Sequence, residues 1–75
     1  MNAFDHAHHA RELLDAVGSL EKAATVCRIK TISTLSDYQN PHRETYMPAD
    51  VIFALERYVG RRIYSRALFE AGSDP

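Results

Sequence analysis

Apolar residues recur at helical spacing near the start of the chain, and this pattern predicts two short helices. The first runs roughly from Asp5 to Val17, and Gly18 ends it. Its inner positions are Ala7, Ala10, Leu14 and Val17. The second begins after Ser19, a favourable N-cap residue, and continues to about Arg28. Its inner positions are Leu20, Ala23, Ala24 and Cys27. The small alanine side chains would let a neighbouring helix approach closely.

Two further helices are predicted in the last third of the chain. Pro48 suits a first helical turn, and the helix that follows runs to Val59 before Gly60 ends it. Its predicted buried positions are Val51 or Ile52, Leu55, Tyr58 and Val59. The last helix runs from Arg61 to Glu70. Its predicted buried positions are Ile63, Tyr64, Ala67 and Leu68. Residues 71–75 are expected to be a frayed tail.

The segment between these pairs, from Thr31 to about Gln39, has an unusual polar pattern. Small hydrogen-bonding side chains crowd it, and its apolar residues are few. A helix over this segment would end at Asn40 and Pro41, because proline disfavours helical geometry in the preceding residue. A strand over residues 28–39 is the alternative, since β-branched residues are frequent there. The apolar positions do not alternate, however, and a third helix capped by Thr31 is favoured.

These elements predict an all-α fold, a compact bundle of about five short helices. Seventy-five residues are enough for one domain with a modest core. Along the chain, residues 1–18 form an N-terminal helix, residues 19–60 a helix-turn-helix core, and residues 61–75 a C-terminal helix and tail.

The composition bears on the cellular compartment in which the protein is expected. The single cysteine, Cys27, excludes an intrachain disulfide and fits a reducing compartment. The apolar runs are far shorter than the roughly 18 residues of a membrane span, and the first residues lack the pattern of a signal peptide. We therefore expect a cytoplasmic protein, without membrane association.

Charge is unevenly distributed along the chain. The formal net charge is −1, but residues 22–66 hold eight basic and four acidic residues, a net of +4. Residues 1–21 have a net charge of −3, and residues 67–75 a net charge of −2. A basic middle segment fits nucleic-acid binding better than the overall charge does.

A family resemblance is carried by several short matches in a fixed order. They are Ala23-Ala24, then Ser33-Thr34-Leu35-Ser36-Asp37-Tyr38-Gln39-Asn40-Pro41, then Met47-Pro48-Ala49-Asp50-Val51, Leu55 and Gly60. In this order and spacing the chain resembles helix-turn-helix regulators of the phage repressor and Cro class, in particular the phage CII-like regulatory proteins. The likeness covers roughly residues 19–60.

The resemblance implies that the second and third helices form a helix-turn-helix and that the third enters the major groove of DNA. The implied motif core is Ala24, Cys27, Leu35 and Tyr38. The implied base contacts are Thr31, Ser33, Ser36 and Asp37. The implied phosphate contacts are Lys22, Arg28, Lys30 and Arg43. It also implies a bacterial nucleoid-associated regulator of transcription without a cofactor, and a homodimer for which Phe53 or Phe69 would supply contacts.

The chain departs from this family at the turn between the two motif helices. The family usually has glycine there, whereas Arg28, Ile29 or Lys30 must fill the turn in this sequence. The spacing from Ala24 to Leu35 is also one residue longer than the commonest pattern. Either the turn is longer, or the register of the third helix shifts by one residue.

The sequence gives little indication of metal binding or catalysis. His6, His8, His9 and His42 are expected to be structural or incidental rather than metal ligands, although His6 and His9 could share a helix face. Cys27 is expected to be a small inward-facing residue, not a nucleophile. The sequence contains neither a Gly-rich phosphate loop nor a convincing catalytic grouping, so an enzyme is not expected.

The main alternative is a small helical adaptor or anti-repressor that binds a protein partner, such as RNA polymerase or another regulator. Exposed aromatic residues of the fourth and fifth helices and the preceding loop would anchor that partner. They are Tyr46, Phe53, Tyr64 and Phe69. Tyr64 cannot be both such an anchor and a buried residue of the fifth helix. Single-stranded RNA binding is a minor alternative, because the dispersed aromatic residues offer no stacking platform.

Overall fold

The computed structural model describes residues 2–43 and 45–72 and confirms the all-α prediction. The helices are α1 (Ala3–Val17), α2 (Leu20–Cys27), α3 (Ile32–Tyr38), α4 (Ala49–Val59) and α5 (Tyr64–Gly72). The described residues contain five helices and no strand, so the alternative of a strand over residues 28–39 is wrong. The first two residues of the predicted tail belong to α5, whereas residues 73–75, like Glu44, lie outside the described residues.

Local capping explains where the first helices begin and end. The Asn2 side chain accepts a hydrogen bond from the backbone of Asp5 at 3.0 Å, and the Asp5 carboxylate accepts one from the backbone of Asn2 at 3.3 Å. This reciprocal capping box starts α1 two residues earlier than predicted. Gly18 ends α1 with a φ of 117°, and Ser19 then caps α2 by accepting from the Lys22 amide at 3.1 Å.

The helices share one apolar core, and α1 is its centre. Helix α1 packs against all four other helices, whereas the backbone of α3 comes close only to those of α1 and α2. The core residues are Ala10, Leu13, Leu14, Val17, Ala23, Ala24, Leu35, Tyr38, Met47, Val51, Ile52, Leu55 and Tyr64. Both Val51 and Ile52 are buried, although the sequence pattern predicted only one of them to be so. The side chains of Leu35 and Tyr38 on α3 thus share the core with those of α4.

Two predicted core residues are exposed. Tyr58 is 56% exposed, because its ring lies at the outer side of α2 beside Lys22 and Thr25. Leu68 is 38% exposed, because α5 packs against only α1 and α4. Helix α5 also begins three residues later than predicted. The periodicity of each helix was sufficient to find its inner face but not the edge of that face.

A buried carboxylate joins α4 to α5. Glu56 accepts hydrogen bonds from the backbone amides of Tyr64 and Ser65 at 2.8 and 2.9 Å, and from the Ser65 hydroxyl at 2.6 Å. Amides in the first turn of a helix have no partner within the helix, and negative charge is favourable there. Glu56 therefore caps α5 from the neighbouring helix and fixes where α5 begins.

Candidate nucleic-acid interface

Helices α2 and α3 pack against each other and bury most of the predicted motif core. Ala24, Leu35 and Tyr38 are buried in the common core, with Ala23 beside them. Cys27 is only half-buried, and its thiol lies 3.9 Å from the Val51 carbonyl oxygen of α4. The inner side of α3 is thus occupied by Leu35 and Tyr38, and the rest of this short helix is left for other contacts.

The turn between α2 and α3 spans residues 28–31, and Arg28 takes the position that usually needs glycine. Its φ of 57° and ψ of 37° lie in the left-handed region, where it is the single non-glycine residue with positive φ in the described chain. Its amide donates to the Thr25 carbonyl at 3.3 Å, and the Ile29 amide donates to the Ala24 carbonyl at 2.9 Å. Of the three residues that the sequence left open for this turn, Arg28 therefore adopts the strained conformation.

We expect Arg28→Gly to raise the free energy of unfolding by up to about 1 kcal/mol. The left-handed conformation costs a residue with a Cβ roughly 1–2 kcal/mol, part of which glycine loses again through unfolded-chain entropy. Urea unfolding measures the change. Arg28→Ala keeps the strain and is the matched control, so equal stability of the two variants would contradict this account of the turn.

The outer side of α3 carries hydroxyl groups. Thr31 and Ser33 are exposed, while Ser36 and Asp37 are half-exposed at the side of the helix. Thr31 occupies the N-cap position, but its side chain makes no cap hydrogen bond to the helix. Its hydroxyl instead lies 3.0 Å from that of Thr34. All four predicted base-contacting residues are therefore accessible, and the two at the start of the helix are the most accessible.

Basic side chains lie at both ends of α3. Arg28 and Lys30 are exposed in the turn that precedes it. After α3 the chain folds back, because Asn40 accepts the His42 amide at 3.0 Å through its side chain and the Arg43 amide at 3.2 Å through its carbonyl. This turn places the Arg43 guanidinium 3.7 Å from the Asp37 carboxylate. Lys22, the fourth predicted phosphate contact, is exposed in the first turn of α2.

The titratable groups behind α3 are held neutral. Burial raises the pKa of the Cys27 thiol, and the nearby Asp50 carboxylate raises it further. Burial also raises the pKa of the Tyr38 hydroxyl, with smaller contributions from Asp50 and Cys27. A thiol with a raised pKa carries little thiolate at neutral pH, so Cys27 lacks the activation that a nucleophile needs.

The histidines of α1 are engaged with neighbouring side chains. The His6 ring stacks on Tyr46 at 4.3 Å, its Nδ1 lies 2.5 Å from the Tyr64 hydroxyl, and burial lowers its pKa. Burial, with a contribution from Tyr46, raises the pKa of Tyr64 to about 12. Because Tyr64 is buried in this cluster, its role as an exposed anchor in the adaptor alternative is wrong.

A second group on α1 combines His8, His9 and Glu12. The His8 Nε2 and His9 Nδ1 atoms lie 2.9 and 3.2 Å from the same Glu12 oxygen. The three side chains place ligand-type atoms within 4.8 Å of one another. In the sequence, His6 and His9 were the pair that could share a helix face, as metal ligands do. In the structure, His6 instead contacts Tyr46 and Tyr64. His42 lies apart from both groups, with its ring edge-on to Phe4 at 6.2 Å.

The two predicted dimer contacts lie together in one groove, which no residue of α3 lines. Phe53 of α4 and Phe69 of α5 are 60% and 75% exposed. They line one open groove of about 620 Å³ with Arg62 and Arg66. From the sequence, Arg61 and Arg62 were also expected to pair with Glu56 or to contact a partner, and Arg66 to be an ordinary solvated charge. In the structure, Arg62 and Arg66 line the same groove as the two phenylalanines.

In comparisons with known proteins, no family model, curated sequence or solved structure matches this chain. Within the described residues, none of the helices has the length and apolar character needed to cross a membrane.

Proposed function

We propose that this protein is a sequence-specific double-stranded DNA-binding regulator of transcription, of phage or prophage type, that reads the major groove with α3. The observation that supports this most directly is the division of α3 into two sides. Leu35 and Tyr38 bury one side in the core, Ser33 exposes its hydroxyl group on the other side, and Thr31 exposes its own at the N-cap. Hydroxyl groups can donate to or accept from most base edges in the major groove.

The charges around α3 support the same proposal. Arg28 and Lys30 precede the helix, and Arg43 is folded back beside its end. Contacts of this kind to phosphates would fix the position of the helix without reading sequence. Asp37, partly neutralised by Arg43, could accept a hydrogen bond from a cytosine amine. Ser33 is exposed on the side of α3 away from Leu35, so this side of the helix is accessible to a duplex.

A single α3 would read few base pairs. Its seven residues span about 10 Å at 1.5 Å per residue. We therefore propose a homodimer that reads two half-sites about one helical turn apart. The dimer is inferred from this need for a second half-site and not from a particular interface. The same proposal places the protein in the cytoplasm at the bacterial nucleoid, with RNA polymerase or another regulator as a further partner.

Selection from randomised duplexes at two salt concentrations tests the proposed function. We expect a defined and palindromic sequence to be enriched, with binding that weakens as salt rises because phosphate contacts displace counterions. Absence of enrichment at both salt concentrations would contradict sequence-specific recognition.

Variants of α3 and of the residues beside it distinguish side chains that read bases from side chains that contact phosphates. We expect Ser33→Ala, Ser36→Ala and Asp37→Ala to change the selected sequence. Arg28→Ala and Lys30→Ala should instead weaken binding to all duplexes and reduce the slope of log K against log salt by roughly 1 each. Arg57→Ala, an exposed change on α4, is the control and should leave both properties unchanged. Equal effects of serine and arginine variants on all sequences would argue against groove reading.

The adaptor alternative is favoured by the exposed Phe53 and Phe69 and makes the opposite prediction. If the protein acts only as an adaptor, the α3 variants keep partner binding, while Phe53→Ala or Phe69→Ala abolishes it. A protein with both activities would respond to both sets of variants independently.

A further inference from the structure

The region around the end of α4 and the start of α5 carries a concentration of positive charge. Its exposed arginines are Arg57, Arg61, Arg62 and Arg66. Among the described residues, three carboxylates lie nearby. Glu12 of α1 borders three of these arginines and is contacted by His8 and His9. Glu56 is buried, and both its oxygens accept hydrogen bonds from α5. Glu70 forms a 3.0 Å ion pair with Arg66. The four arginines thus outnumber the described carboxylates around them, although the whole chain has a net charge of −1.

This basic region, which we term the arginine–phenylalanine groove, also contains exposed apolar surface. The groove is lined by Phe53, Glu56, Arg62, Ser65, Arg66 and Phe69. Large apolar residues exposed together and rimmed by polar groups are typical of interaction sites. Aromatic and arginine side chains are also the residue types that protein interfaces favour. The combination indicates a ligand with both negative charge and a bulky apolar group.

Three occupants can be compared by their chemistry. A second copy related by a two-fold axis would bring Arg62 and Arg66 of both copies close together, which is electrostatically unfavourable. A nucleic-acid duplex would satisfy the arginines with its phosphates, but its paired and stacked bases offer no apolar group to Phe53 and Phe69. An acidic protein segment with an aromatic or large aliphatic side chain satisfies both requirements.

We propose that the arginine–phenylalanine groove binds an acidic protein segment that inserts one bulky apolar side chain between Phe53 and Phe69. The groove is lined by residues of α4, of α5 and of the turn between them, and none of its lining residues belongs to α3. The segment could therefore remain bound while α3 is engaged elsewhere. This proposal does not depend on DNA binding, so either one can fail without the other.

A peptide titration followed by amide NMR of the full chain tests the proposal. The probe is a 12-residue synthetic peptide of Asp and Glu with one central Phe. We expect chemical-shift changes concentrated at the end of α4 and in α5, with few in α2 and α3. One control peptide replaces the Phe with Ala, and a second replaces the acidic residues with Lys. We expect the first to bind about tenfold more weakly and the second not to bind.

Variants identify the residues that carry the binding. Arg62→Glu combined with Arg66→Glu should weaken binding of the acidic peptide at least tenfold and create binding of the lysine peptide. Phe69→Ala should weaken it about tenfold, and because Phe69 is largely exposed the helical circular dichroism should be retained. Arg28→Glu combined with Lys30→Glu changes the charge by the same amount in the turn before α3, where both side chains are exposed, and should alter the affinity less than twofold.

Several results would overturn the proposal. One is the absence of shifts in α4 and α5 at millimolar peptide. Another is equal binding of the Ala-substituted peptide, which would show attraction by charge alone. A random DNA duplex that shifts the same amides at lower concentration would assign the surface to nucleic acid. Sedimentation showing a dimer that Phe69→Ala dissociates would assign it to a second copy.

Discussion

Leu35→Ala should lower the free energy of unfolding by about 3 kcal/mol, because truncating a fully buried leucine loses apolar contact and leaves a cavity. Leu35 is 0% exposed and lies in the core on the inner side of α3. A chain of this length is expected to have only about 4–11 kcal/mol of stability, so the loss would be a large fraction of the total. Urea unfolding followed by circular dichroism measures it.

Ile32→Ala is the matched control for Leu35→Ala. Ile32 lies three residues earlier on the same helix but is 41% exposed. Its truncation should therefore change the free energy of unfolding by no more than about 1 kcal/mol. If both variants lose the same stability, α3 is not anchored by Leu35, and the division of this helix into a buried and a reading side is wrong.

Glu56→Ala should also destabilise the protein by about 3 kcal/mol. The change removes a charged acceptor of three hydrogen bonds and leaves the amides of Tyr64 and Ser65 without their acceptor. Hydrogen bonds to charged groups contribute roughly 1.5–3 kcal/mol, and a buried group left unpaired costs about 1–3 kcal/mol. Denaturant unfolding gives the total effect, and amide hydrogen exchange should show the largest loss of protection in α5.

Two further variants delimit the Glu56 effect. Ser65→Ala removes one of the three hydrogen bonds and should cost about 1 kcal/mol. Glu70→Ala removes an exposed carboxylate from the same part of the molecule, and an exposed ion pair of this type contributes roughly 0–1 kcal/mol. If the free energy of unfolding of Glu56→Ala is as high as that of Glu70→Ala, the capping role of Glu56 is contradicted.

Helical periodicity was sufficient to predict α1, α2 and α4, because each of these helices buries apolar residues at helical spacing and glycine ends two of them. Contacts that depend on how helices are arranged in space were not predictable in the same way. Met47 is buried although it lies in a loop, and Leu13 is buried beside the predicted face of α1. Glu56 caps a helix that begins eight residues later, and no local pattern distinguishes it from a solvated glutamate.

The candidate interface was predictable to a similar extent. The excess of Ser and Thr over apolar residues identified α3, and the buried positions of Leu35 and Tyr38 agree with that reading of the segment. The sequence could not decide which residue of the turn is left-handed, because arginine has no special preference for that conformation. Nor could it place Arg43 beside Asp37, since this pairing depends on the turn made by Asn40.

The central position of α1 affects whether α2 and α3 could be used outside this protein. Residues 19–60 contain α2, α3 and α4, yet α1 also packs against each of these three helices. A fragment of residues 19–60 would lose α1 and would expose part of the buried side of Leu35 and Tyr38 to water. The α2–α3 pair is therefore not a portable module: grafting it onto another scaffold would require that scaffold to supply a helix equivalent to α1.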